Sequence, residues 1–198
     1  MLLTLQRVAV SAVALSLLAA CGHTAARSGF IPNSVPMLKA KGDDDTSEYK
    51  AQGFALSQYG SVKVEAVEIG KIEELRGNPE EFEKMRARFQ ASLQAALEKS
   101  GGKGDRVLIV RGSITAFKPN KPLLNVAPQT QIMKRGYGYA ACEIFATDGP
   151  GGKVVAAWMN TQDTQRFGAE KLSEFGTIEK ACETWGPAFR KFLENGAV

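Results

Sequence analysis

Few side chains in this 198-residue chain can do chemistry by themselves, and their positions narrow what is open to it. The single histidine, His23, lies two residues beyond Cys21, where an apolar run ends. No packed constellation can be built on it, so a Ser-His-Asp triad, a Cys-His nucleophile and an HExxH zinc site are all left without their central group. Asp43-Asp44-Asp45 lacks the alternating acids, central glycine and closing glutamate of a calcium loop and reads as a solvated loop. Gly149-Pro150-Gly151-Gly152-Lys153 ends in Val154, where a phosphate loop needs Ser or Thr, and it leads into a strand pattern. Glu143 is an acid in an otherwise apolar stretch; facing a cavity it could act as an acid or base. Strand alternation places it with Tyr137, Tyr139 and Phe145, opposite Cys142 and Ile144, which reads as an exposed sheet face. No metal site, no cofactor and no catalytic activity are expected from this inventory.

The nucleophile that the sequence singles out is the Cys21 thiol. Arg7 precedes an apolar and small-residue run from Val8 to Ala20, broken by Ser11 and Ser16, which is the pattern of a signal peptide. The run is too short for the roughly 20 apolar residues of a spanning helix, so no transmembrane anchor is expected. Its end, Leu18-Ala19-Ala20-Cys21, resembles the lipobox of bacterial lipoproteins. That resemblance implies removal of residues 1–20, diacylglycerol on the Cys21 sulfur and acylation of the new amino terminus. Gly22, standing where an aspartate would signal retention in the inner membrane, implies the outer membrane, with the domain facing the periplasm. Acyl chains contribute about 0.8 kcal/mol per buried methylene, so two or three of them anchor a protein without spanning.

Composition fits a tether followed by one globular domain. The formal charge is +4 and the pI about 9.0, but the basic residues are interspersed with nearly as many acids, which indicates a mixed solvated surface and no nucleic-acid partner. Beyond Cys21 only Cys142 and Cys182 remain. In an oxidising compartment such a pair could form a disulfide; two buried free thiols are the alternative, because a helix packed on a sheet holds its backbone farther away than a disulfide spans.

The elements follow from periodicity and punctuation. Residues 21–59 read as a tether and irregular arm, and 60–198 as the domain. Ser61 to Ala66 alternates as a half-buried strand, with a phase change before Val67 and Ile69 that suggests a bulge. Asn78-Pro79-Glu80-Glu81 is a helix start, and Phe82, Met85, Phe89, Leu93, Ala96 and Leu97 mark one face before Gly101-Gly102 ends the segment. The apolar run from Val107 and its continuation to Phe117 predict an interior strand. The Pro-rich connection from Lys118 to Gly136 carries Leu123, Leu124 and Val126, and a loop of that length suits binding. Tyr137–Thr147 and Lys153–Asn160 form a hairpin. A second amphipathic segment runs from Leu172 to Phe192 and is interrupted at Gly186-Pro187, by a kink or by a break into two helices. The expected fold is an α+β two-layer sandwich, with a four-stranded, mainly antiparallel sheet and helices on one face, in the order β-α-β-β-β-α.

Ser28-Gly29-Phe30, Tyr49-Lys50, Ala55-Leu56-Ser57-Gln58-Tyr59 leading into Val62 to Val67, and the Asp148-Gly149 hairpin are similar to the bacterial lipoproteins catalogued as domain of unknown function 3313. The loop from Asp148 to Lys153 departs from that family's usual turn by its extra glycine and missing threonine. The family implies no established activity. The expectation is therefore a membrane-anchored lipoprotein with a periplasmic interaction or structural domain, meeting an envelope protein through Leu123, Leu124, Val126, Tyr137 and Tyr139. A module binding an apolar or glycan ligand is the alternative, and a carboxylate-dependent enzyme comes third. The sequence carries no signal for an oligomeric state.

Overall fold

A computed structural model describes residues 27–72, 78–98, 100–125, 136–163 and 172–195. Its elements are β1 (Leu38–Ala40), β2 (Asp43–Lys50), β3 (Tyr59–Val64), β4 (Glu68–Ile69), α1 (Pro79–Leu97), β5 (Arg106–Lys118), the short α2 (Pro122–Asn125), β6 (Tyr139–Asp148), β7 (Val154–Asp163) and α3 (Gly176–Glu194). The strands form one mixed seven-stranded sheet in the order β1-β2-β7-β6-β5-β3, with β4 also pairing β5. The α+β layering is as expected, but the four-stranded, mainly antiparallel sheet is corrected in two ways. The β3 and β4 strands run parallel to β5, because α1 forms the crossover between β3 and β5. Two further strands, β1 and β2, come from the stretch read as irregular arm, and Asp43-Asp44-Asp45 opens β2 instead of a loop.

α1 begins where the sequence places it: Pro79 occupies the first turn, and the Asn78 side chain accepts the Glu81 N–H at 3.4 Å. Met85, Phe89, Leu93 and Leu97, spaced by four, are buried against the sheet, each contributing roughly 1.5–3 kcal/mol. α3 presents Ile178, Cys182, Trp185, Phe189 and Phe192 to the same face. The Phe89 and Trp185 rings meet edge to face at 5.0 Å. The core therefore lies between the helices and the inward sheet residues Leu108, Val110, Ile114, Cys142, Ile144, Ala146, Ala156 and Trp158.

α3 runs unbroken through Gly186-Pro187. Pro187 has no N–H to give the Glu183 carbonyl one turn earlier, which would normally disrupt a helix interior. Here the Ser92 hydroxyl of α1 donates to that carbonyl at 2.9 Å. Gly186 makes the approach possible, since a Cβ there would collide with the Ser92 backbone carbonyl. The anomaly in sequence is thus the contact point of the two helices, flanked by ion pairs from Lys84 and Arg88 to Glu179 and from Arg88 to Glu183.

Gly186→Ala is expected to lower unfolding stability by about 2 kcal/mol through overpacking at that crossing, and Ser92→Ala by about 1 kcal/mol through the lost hydrogen bond. Urea denaturation followed by tryptophan fluorescence measures both. Unchanged midpoints would show that the helices do not meet there.

Candidate functional site

The sheet face turned away from the helices carries Glu143 and Phe145 of β6, Ala157 and Met159 of β7, and Tyr49 of β2. In place of the expected exposure, this face is covered by the arm from Arg27 to Met37, and Glu143 is fully buried. Strand alternation placed the side chain on the right face; what it could not supply was the chain segment lying over it.

The arm is held by a clasp. Ser28 N–H donates to Glu143 Oε1 at 2.5 Å and Ile31 N–H to Oε2 at 2.8 Å, so one carboxylate receives two backbone donors from one turn. Gly29, at φ 92°, occupies the left-handed region that lets the chain turn back so both amides face the acid. The Phe30 N–H donates to Ser28 Oγ at 3.2 Å, and the Phe30 ring packs on Phe145 at 5.2 Å. Ile31 and Val35 complete a second, smaller core with Phe145, Ala157 and Met159. The Arg27 guanidinium donates to the carbonyls of Ile31, Pro32 and Val35 at 3.3, 2.7 and 3.1 Å, bracing the turn from its outer side. Beside it, Arg111 reaches over the Phe145 ring and pairs with Glu65 at 2.6 Å, a hydrogen bond that holds Glu65 below the usual carboxylate range.

A carboxylate removed from water without a partner is strongly unfavourable, and here the arm that removes Glu143 from water also brings the two amide donors that compensate it. Both oxygens are engaged by backbone amides inside protein. The arrangement is chemically a fastener, holding the first described residues of the chain to the middle of the sheet.

A second buried polar chain ties β2, β7 and α3 together. Asn160 Nδ2 donates to Thr46 Oγ1 at 2.8 Å, while Asn160 Oδ1 accepts from Trp185 Nε1 at 3.0 Å and Gln162 Nε2 at 2.9 Å. Nothing in the sequence singles out Asn160, because its value lies in what converges on it. Asn120 does similar work at the base of the long connection: its Oδ1 accepts from Gly138 N–H at 2.9 Å and Thr177 Oγ1 at 3.0 Å, and its Nδ2 donates to the Ser173 carbonyl at 2.7 Å. Both ends of the 118–139 segment are thereby fixed to the start of α3.

The expected contact residues are only partly brought together. Leu123 on α2 is 86% exposed and Leu124 is half-buried, as are Tyr137 and Tyr139. Val126, Cys21 and His23 lie outside the described residues. Cys142 and Cys182 are buried and unbridged, and burial pushes both thiols well above their ordinary range. Among the described residues no three His, Cys, Asp or Glu side chains converge to hold an ion, and no helix is long and apolar enough to cross a membrane. Among the described residues, open grooves include about 490 Å³ beside Val67, Ile69 and Phe82, about 500 Å³ along Ala91, Ala95 and Pro187, about 390 Å³ between Phe54, Leu56 and Leu193, and about 250 Å³ over Thr46, Asn160 and Gln162.

The fold and clasp define an α+β domain with a strapped sheet face. The family described as "Protein of unknown function (DUF3313)" matches residues 27–189, and the chain belongs to that family. The match begins at the arm's first described residue and includes the whole clasp. No curated protein matches the chain. Two solved structures of the PelC dodecamer from Paraburkholderia phytofirmans are similar to it. One, a point variant, is 12% identical with a TM-score of 0.43, covering 75% of this chain and 98% of its own. The other is 9% identical with a TM-score of 0.42, covering 77% and 98%.

The signals that could have located the clasp were in the sequence. They are an isolated acid in an apolar strand, and a glycine turn within the uncharged run from Ser28 to Leu38. Glu143→Ala removes the acceptor of the buried Ile31 amide and the part-buried Ser28 amide and is expected to cost about 3 kcal/mol, whereas Phe30→Leu, which keeps an apolar contact, should cost about 1 kcal/mol. Urea denaturation of the two variants measures this. Equal, near-wild-type stability in both would show that the arm contributes nothing to the fold.

Proposed function

We propose that the chain is a lipid-anchored outer-membrane lipoprotein whose periplasmic domain acts as a protein-interaction or structural module. The observation that carries the reading is the closeness of the motif to the clasp. Six residues separate Cys21, the lipobox cysteine, from Ser28, whose amide is already bound to Glu143, so the connection is seven residue steps long. At about 3.3–3.6 Å per residue, that connection spans at most about 25 Å whatever its conformation. Diacylglycerol on Cys21 would hold the domain close to the bilayer, and the clasp would carry mechanical load from the lipid directly into the sheet.

The open grooves suit contact with a partner surface better than enclosure of a small apolar ligand, which binds best in a closed cavity. Exposed Leu123, within the connection whose ends Asn120 fixes, is the proposed contact for an envelope protein. In the domain's role as a module, catalysis has no part: Glu143, the acid that could have served it, is committed to the arm.

Cys21→Ser, expressed beside the wild-type chain in cells fed an alkyne-bearing palmitate, is expected to lose the label and move from the outer-membrane fraction to the soluble periplasmic fraction. A variant that keeps its outer-membrane position without lipid would rule out anchoring through Cys21.

A further inference from the structure

We propose that the groove between β2 and the last turns of α3 binds an uncharged polyhydroxy ligand, one sugar unit of a glycan. The groove follows from the layering. α1 packs on β3 and β4 and α3 on β6 and β7, while β2 continues the sheet beyond β7 along the flank of α3. The inward side of this margin is polar where the neighbouring core is apolar. Trp158, Asn160 and Gln162 alternate along β7, so they share one face, and all three line the groove while more than nine-tenths buried. Each retains a hydrogen to give. The Trp158 indole nitrogen has no acceptor among the described residues and is not sealed inside protein. The Asn160 amide nitrogen donates once, to Thr46 Oγ1, and that of Gln162 once, to Asn160 Oδ1, so a second N–H remains on each.

Buried donors are normally satisfied, and three at one opening are completed by oxygen atoms that enter it. Glu48 supplies the complement. It stands opposite Trp158 in the β2-β7 register, on the same face, and its carboxylate accepts no hydrogen bond among the described residues. A hydroxyl both accepts and donates, so adjacent hydroxyls of one ring serve the N–H row and the carboxylate together; a carbonyl only accepts and leaves Glu48 unused. Charge points the same way. Asp43 and Glu48 are balanced by Lys191 across the groove and by Lys50 beside Glu48, so no net field selects an ion. The opening is about 250 Å³ and not enclosed, which admits one unit of a longer chain. Lys50 already sits over the Phe192 ring at 4.5 Å, so that ring offers no platform for stacking. Recognition therefore rests on hydrogen bonds exchanged with water, and a single unit binds weakly.

The chain's two tryptophans make the test direct, because Trp158 lines the groove and Trp185 is fully buried with its indole N–H on Asn160. The isotope-labelled full chain is titrated with glucose, galactose, N-acetylglucosamine and the linear tetramer of each, and the two indole N–H signals are followed by NMR; Trp158→Phe assigns them. The expected result is a saturable shift of the Trp158 signal with at least one saccharide, and a smaller one at Trp185. Glu48→Gln, a substitution at a half-buried side chain with no bond to lose, is expected to weaken that saccharide about fivefold, while Glu83→Gln on α1 leaves it unchanged. No saturable shift at Trp158 across the panel, or one that Glu48→Gln does not weaken, overturns the site. A shift produced by sodium acetate and by none of the saccharides overturns the ligand class.

Discussion

A buried carboxylate whose two amide donors come from the very segment that covers it ties that segment to the sheet, and the rest of this molecule is arranged around the tie. While Ser28 and Ile31 donate to Glu143, its carboxyl is satisfied and the arm is fixed; once the arm leaves, the two hydrogen bonds are lost together with the apolar contacts of Ile31 and Val35 on Phe145, Ala157 and Met159. The arm therefore behaves as part of the core, although it precedes every strand. It closes the sheet face opposite the helices, and it leads through Met37 into β1, the edge strand beside β2. A force applied at the start of the chain would meet this clasp before it met any strand.

The opposite layer shows how a second local defect can become a specific contact. Pro187 leaves a helix carbonyl without its donor, Gly186 removes the side chain in the way, and Ser92 supplies the missing hydroxyl from the neighbouring helix. The register of α1 against α3 is then set by one hydrogen bond and a close backbone approach, with the ion pairs of Arg88 adding specificity at the surface more than stability.

Much of this architecture was legible in the sequence. Asn78-Pro79 marked the start of α1, the apolar period of α3 marked its buried face, and the glycine-rich turn after Asp148 marked the β6-β7 hairpin. The run from Val107 was read as interior, and β5 indeed has neighbours on both sides. β2 escaped because Asp43 to Lys50 has no apolar alternation. It lies near the sheet margin, where Thr46, Glu48 and Lys50 face a groove and the end of α3 instead of the main core. The parallel pairing of β3 escaped because strand patterns carry no direction. Glu143 was placed on its correct face but judged exposed, since period-two reasoning knows a strand's sides and not what a distant segment lays upon them. Ser28-Gly29-Phe30 entered as a resemblance, and the structure gives those residues their physical work: a donor, a left-handed turn and a ring against Phe145.

The clasp acts as described only if the arm belongs to the folded domain. Residue-resolved amide hydrogen exchange at Ser28 and Ile31 in the full chain tests this most directly. Protection of both amides within about tenfold of the β6 amides, as expected of one cooperative unit, is the predicted result. Exchange at the rate of an unstructured peptide while β6 stays protected would contradict it.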